Sequence, residues 1–98
     1  MNIQAMMKQA QKLQKDVENM QKELEKTLYS GKSGFVNVEM YGSLEVNKIT
    51  IEEDDLSEVE KDMLEDMIQL AMEDVLKKIK NDKNQKLGKF GQGMQGLL

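Results

Sequence analysis

The sequence predicts an α+β fold with the order helix, three short antiparallel strands, helix. Three observations carry this expectation. A glycine- and proline-free N-terminal stretch repeats its apolar residues every seven positions. The middle of the chain switches to apolar/polar alternation broken by glycines. A second helical pattern then runs to Ile79 and gives way to a polar, basic, glycine-containing end.

In the first helix, Ile3, Ala10, Val17 and Leu24 occupy the a positions of a heptad, and Met6, Leu13 and Met20 the d positions. A helix over residues 2–26 is about 37 Å long, too long for so small a core to cover. Part of it should project or pair with a partner.

Leu28-Tyr29-Ser30 reads as a short strand, and Gly31-Lys32-Ser33-Gly34 as a turn. Phe35 to Tyr41 alternates, with Val36, Val38 and Met40 on one face. Gly42-Ser43 is a two-residue hairpin signal. Leu44 and Val46 continue the alternation. Ile49 and Ile51 resume it on the other parity, which predicts a bulge near Asn47-Lys48.

Ser57-x-x-Glu60 has the form of a capping box opening the second helix. The apolar residues of that helix spread over an arc of roughly 260°, wider than a one-sided helix requires. It should bury against its own sheet and against a second subunit. Met63, Met67, Ile68, Met72, Val75, Leu76 and Ile79 are the expected dimer-interface residues. The expected organisation is one domain over residues 1–83 and a flexible basic tail over residues 84–98.

Composition narrows the chemistry. The 98 residues contain no cysteine and no histidine. Disulfides, thiolate or imidazole zinc sites and Ser–His–Asp catalysis are therefore excluded. Neither a signal-peptide start nor a membrane span is legible, so a cytoplasmic, non-enzymatic protein is expected, without cofactor, metal or small-molecule substrate. Gly31-Lys32-Ser33 resembles the end of a phosphate-binding loop, but the position five residues before Gly31 is Lys26 and a strand follows. Glu52-Glu53-Asp54-Asp55 lacks the spacing of a calcium loop and reads as a solvated junction. Asp74, placed among apolar neighbours on the second helix, has Lys78 one turn later as an ion-pair partner.

The net charge is −4, unevenly spread: residues 1–38 carry +2, residues 39–74 carry −11 and residues 75–98 carry +5. All fourteen cations are lysines, so bidentate arginine readout of guanine is not available. Lys8, Lys15 and Lys22 share heptad position f, opposite the apolar seam, and Lys12 is at the neighbouring c position. They form either a solvated outer face or a phosphate-contacting stripe. Lys77, Lys78, Lys80, Lys83, Lys86 and Lys89 form a second cluster, which complements a helix C-terminus or extends towards nucleic acid.

Several segments together resemble the YbaB/EbfC family. They are Met7-Lys8-Gln9-Ala10-Gln11-Lys12-Leu13-Gln14, Tyr29 to Val38, Gly42 to Ile51, Met63 to Ile68 and Ala71 to Val75. The likeness spans about residues 3–80. It departs from the family pattern at Phe35, at Glu73-Asp74 and in the absence of proline. The resemblance implies a homodimer with projecting N-terminal helices that binds double-stranded DNA in the nucleoid. It makes Lys8, Lys12 and Lys15 the first candidates for contact. Gln9, Lys22, Lys77, Lys78, Lys83 and Lys86 complete the candidate DNA-binding set. The alternative is a homodimeric protein-interaction scaffold that does not bind DNA.

Overall fold

In the computed structural model, which describes residues 2–90, the chain runs α1 (Ile3–Lys26), β1 (Leu28–Ser33), β2 (Val36–Tyr41), β3 (Val46–Ile51), α2 (Lys61–Gly88). The strands form one antiparallel sheet in the order β1-β2-β3. The predicted fold class is the one observed. The predicted bulge is present too: Met40 pairs with Val46 and Glu39 with Lys48, which leaves Asn47 as the extra residue.

α2 lies across one face of β1 and β2 and does not reach β3. Val36, Val38 and Met40 from β2 meet Ala71, Val75 and Ile79 from α2 in a buried cluster. The alternating burial of β2 is the alternation seen in the sequence. Val75 and Ile79, expected at a dimer interface, are thus enclosed within a single chain.

Both turns differ from expectation. Gly31 lies inside β1, which continues to Ser33, and the first hairpin turns on Gly34-Phe35. Gly31 sits where the strand meets α2: a Cβ there would strike the Ala71 carbonyl and the Val75 amide. Gly34 supplies the positive φ, 56°. The second hairpin needs a longer loop than Gly42-Ser43, and Leu44 takes the left-handed conformation at φ 75°. Gly42 is required by contact, because a Cβ there would run into the Leu24 carbonyl.

The capping box does not form. α2 begins at Lys61 behind Glu60, with no side-chain cap. The Ser57 amide instead donates to Asp55 Oδ1 at 2.9 Å in a local turn. At its other end α2 outruns expectation. The boundary set at residue 84 falls inside the helix, which continues to Gly88 with Leu87 buried. The rest of the expected tail, residues 91–98, lies outside the described residues.

The molecule is 72 Å long and 20 Å wide. Its radius of gyration is 19.4 Å, against about 13 Å for a compact chain of this length. The excess is α1, whose residues from Asn2 to Asp16 are all exposed.

Candidate nucleic-acid interface

The base of α1 is clamped to the sheet. The Gly42 amide donates to the Thr27 carbonyl at 2.9 Å, and the Ser43 amide to the Glu25 carbonyl at 3.3 Å. The Thr27 hydroxyl donates to the Glu23 carbonyl at 2.8 Å. A single residue, Thr27, separates the helix from β1. At the far end, Asn2 Oδ1 accepts from the amides of Gln4 and Ala5 at 3.1 and 3.3 Å, capping the first turn. The arm is therefore a continuous helix fixed at its root.

Lys8, Gln9, Lys12, Lys15 and Lys22 are all exposed along this arm. Met20 and Leu24, on the seam, face α2 across a shallow groove, so the f-position lysines point away from it. Among the described residues, Lys8, Lys12, Lys15 and Lys22 take part in no ion pair. The same is true of Lys77 and Lys83.

Two other sequence candidates are engaged elsewhere. Lys78 lies 3.2 Å from Asp74 Oδ2 and donates to the Ser30 carbonyl at 2.9 Å. Asp74 in turn accepts from the Lys32 amide at 3.0 Å. The Lys32 amide and the Lys78 ammonium hold the Asp74 carboxyl below its ordinary pKa. This pair occupies the open edge of β1, where β-sheets otherwise recruit further strands. Lys86 lies 3.0 Å from Asp82 Oδ2, which also accepts from the Tyr29 hydroxyl. Lys32, the lysine of the phosphate-loop-like motif, is paired with Glu52 at 3.2 Å.

The two basic clusters do not merge into one face. Lys80 and Lys83 line a groove with Met20, Gln21, Leu24 and Glu25. Lys86, Lys89 and Phe90 line its continuation with Asn19, Met20 and Glu23. The basic end of α2 thus lies beside the acidic half of α1. The more remote half, holding Lys8, Lys12 and Lys15, stands alone.

The expected interface residues also divide. Asp74 reaches the outer edge of β1, which fixes the orientation of α2. At 100° per residue, Ile68, Met72 and Leu76 fall on the flank towards β3, and Met63 and Met67 on the flank towards the β1 edge. Ile68 and Met72 are half-buried and Leu76 is exposed. Beside them, Val46, Ile49 and Ile51 are paired with Met40, Val38 and Val36 and share their face of the sheet. They remain 48%, 46% and 37% exposed because α2 does not cover them. Leu44 and Leu76 close one end of this apolar trough. Sequence reasoning saw the wide arc of α2 but missed β3 as its counterpart. The unbroken apolar alternation at Val46, Ile49 and Ile51 is the signal that was available.

Among the described residues, no cluster of three or more acidic side chains is arranged to hold a metal, and no helix is long and apolar enough to cross a membrane. What the fold does present is a small body carrying a rigid helical arm with an unpaired basic face. That is the form of a binding protein rather than an enzyme.

Comparison with known proteins agrees. Residues 1–94 match the YbaB/EbfC DNA-binding family, and the chain belongs to it. It is 41% identical over 96 residues to a nucleoid-associated protein of Lactococcus lactis subsp. cremoris, covering 96% of this chain and 97% of that one. It is 39% identical to a nucleoid-associated protein of Rickettsia prowazekii, covering 95% and 89%. The fold is shared with the uncharacterized protein HP0035 from Helicobacter pylori, whose crystal structure matches with a TM-score of 0.71 at 23% identity, covering 93% of this chain and 99% of that one.

Proposed function

We propose that this protein is a nucleoid-associated, homodimeric binder of duplex DNA that acts through lysine–phosphate contacts. The observation that carries the reading is the projecting α1, whose Lys8, Lys12 and Lys15 have no protein anion as partner. Family membership supplies the ligand class. Each contact releases condensed counterions, so binding draws its free energy mainly from the phosphate backbone and carries little sequence information. Gln9 is placed to touch a sugar or base edge next to Lys8 and Lys12. Lys22, Lys77 and Lys83 are secondary contacts. Lys78 and Lys86 contribute less, since each is already neutralised by an aspartate.

The homodimer is supported by the uncovered trough of Ile68, Met72, Leu76, Val46, Ile49 and Ile51. A second copy related by a two-fold axis brings the same apolar surface and satisfies both. The acidic segment 52–66 then lies away from the arms, towards the opposite end of the sheet.

A mobility-shift series in increasing salt tests the mechanism. About four phosphate contacts give a log–log slope of roughly −3 to −4. Replacing Lys8, Lys12 and Lys15 together by glutamine preserves helix propensity and should reduce that slope by about two to three units. Binding insensitive to salt, or to the triple replacement, overturns the electrostatic reading. An absence of binding at low salt favours an interaction scaffold.

A further inference from the structure

The remote half of α1 carries an apolar stripe that nothing in the chain covers. Ile3, Met6 and Leu13 are 70%, 53% and 39% exposed. With Ala10 and Val17 they make up the a and d seam. α2 accompanies α1 only along its root, where Phe90 reaches the level of Asn19 and Met20. The seam stays open from Ile3 to Val17, roughly 21 Å. Lys8 and Lys15 stand on the opposite side of the helix, so an arm that holds phosphates through them turns its seam away from the DNA.

Charge varies along the same axis. Residues 3–15 hold Lys8, Lys12 and Lys15 and no acid, while residues 16–25 hold Asp16, Glu18, Glu23 and Glu25 against Lys22. Two arms aligned in parallel bring basic half to basic half. Aligned antiparallel, each basic half meets an acidic half. The antiparallel register that sets Met6 opposite Val17 and Ala10 opposite Leu13 also matches a large residue to a small one across the seam.

We propose that α1 seams from two different dimers pair antiparallel, so that this protein bridges separate DNA segments. The bridging consequence rests on the DNA-binding reading; the pairing does not. Two heptads make a weak contact between isolated arms. Arms gathered along DNA meet at high effective concentration, and the contact strengthens accordingly.

The absence of native cysteine makes the register directly testable. Full-length Met6→Cys and Val17→Cys proteins are mixed and mildly oxidised, once with linear duplex DNA and once at high protein concentration without it. The mixed pair should cross-link into particles larger than a dimer, and Met6→Cys alone should not. In a parallel pair positions 6 and 17 are about 16 Å apart along the axis, beyond disulfide reach. Self-cross-linking of Met6→Cys, cross-linked particles of dimer mass, or no cross-linking overturns the pairing.

A second measurement captures a labelled duplex on an immobilised one. Leu13→Gln and, separately, Met6→Gln should keep the dimer and the affinity for a single duplex but lose capture, while Leu13→Met should retain it. Capture unaffected by either glutamine overturns bridging through the seam. If the wild type binds no DNA, the proposed function fails, and the DNA-free cross-linking still decides the seam. If it binds DNA but neither cross-links nor captures, only this inference falls.

Discussion

At Gly31 the sheet and α2 approach more closely than any side chain permits, since a Cβ would meet both the Ala71 carbonyl and the Val75 amide. Neither is a flexible group that can move aside. Gly31→Ala should therefore destabilise the fold by about 2–3 kcal/mol through overpacking, read as a lower urea midpoint at unchanged m-value. A few residues away, Tyr29 gives its hydroxyl proton to a hydrogen bond with Asp82. Burial, followed by the neighbouring Asp82, pushes the Tyr29 pKa up to about 12. The Tyr29 hydroxyl, followed by Lys86, holds Asp82 below its ordinary value. Tyr29 is raised on folding, so its share of stability is present below pH ~10 and lost as pH rises towards 12. Asp82 is lowered, so its share is present above pH ~4 and lost as pH falls through its folded value. Tyr29→Phe should cost about 1 kcal/mol near neutrality and flatten both limbs of the stability–pH curve. Equal loss at all pH values counts against this account. None of this was legible beforehand. Gly31 reads as a turn residue because glycine signals turns locally, whereas its actual constraint comes from α2, forty residues further on.

At the scale of elements, local signals located the helices and strands well and their ends less well. The heptad of α1 and the alternation of β2 each depend on one period, and both appear where the sequence put them. The start of α2 does not, because Asp55 captures the Ser57 amide before a cap can form. Its end also moved, because Leu87 is buried, and burial on another element is invisible to a local pattern. The DNA-contact candidates were legible as lysines at a shared heptad position. What the sequence did not distinguish is which lysines are free: Lys78 and Lys86 look like Lys77 and Lys83 until the geometry of Asp74 and Asp82 is known. α1 offers an element-scale test. Asn2→Ala removes the acceptor for the Gln4 and Ala5 amides and should cost the helix about 1 kcal/mol. The first turns project from the body, so the loss should appear as faster amide exchange near Ala5–Lys8 with little change in global unfolding. A shift of the whole transition would place the arm inside the cooperative core.

For the molecule as a whole, the two edges of the sheet are treated differently. Asp74 and Lys78 occupy the β1 edge, while the apolar face of β3 lies open. Assembly is thereby directed to one side. Ile49→Asp places a charge in the proposed trough, where burial without a partner costs several kcal/mol. It should leave a folded chain of single-chain mass in light scattering, because Ile49 is 46% exposed in the isolated subunit. A particle that keeps the wild-type mass argues for an interface elsewhere, and Met63 on the opposite flank of α2 is then the position to change.

The clamp at Thr27 has one more effect. Because Gly42 and Ser43 hold the last turn of α1 through backbone hydrogen bonds, the arm lacks a swivel at its root. In a two-fold assembly the tips are then a set distance apart, and the protein becomes a gauge of duplex length. Fragments shorter than the span between the two lysine stripes engage one arm, and longer fragments engage both. Affinity plotted against fragment length should rise in a step rather than smoothly, with the steeper salt dependence on the long side of the step.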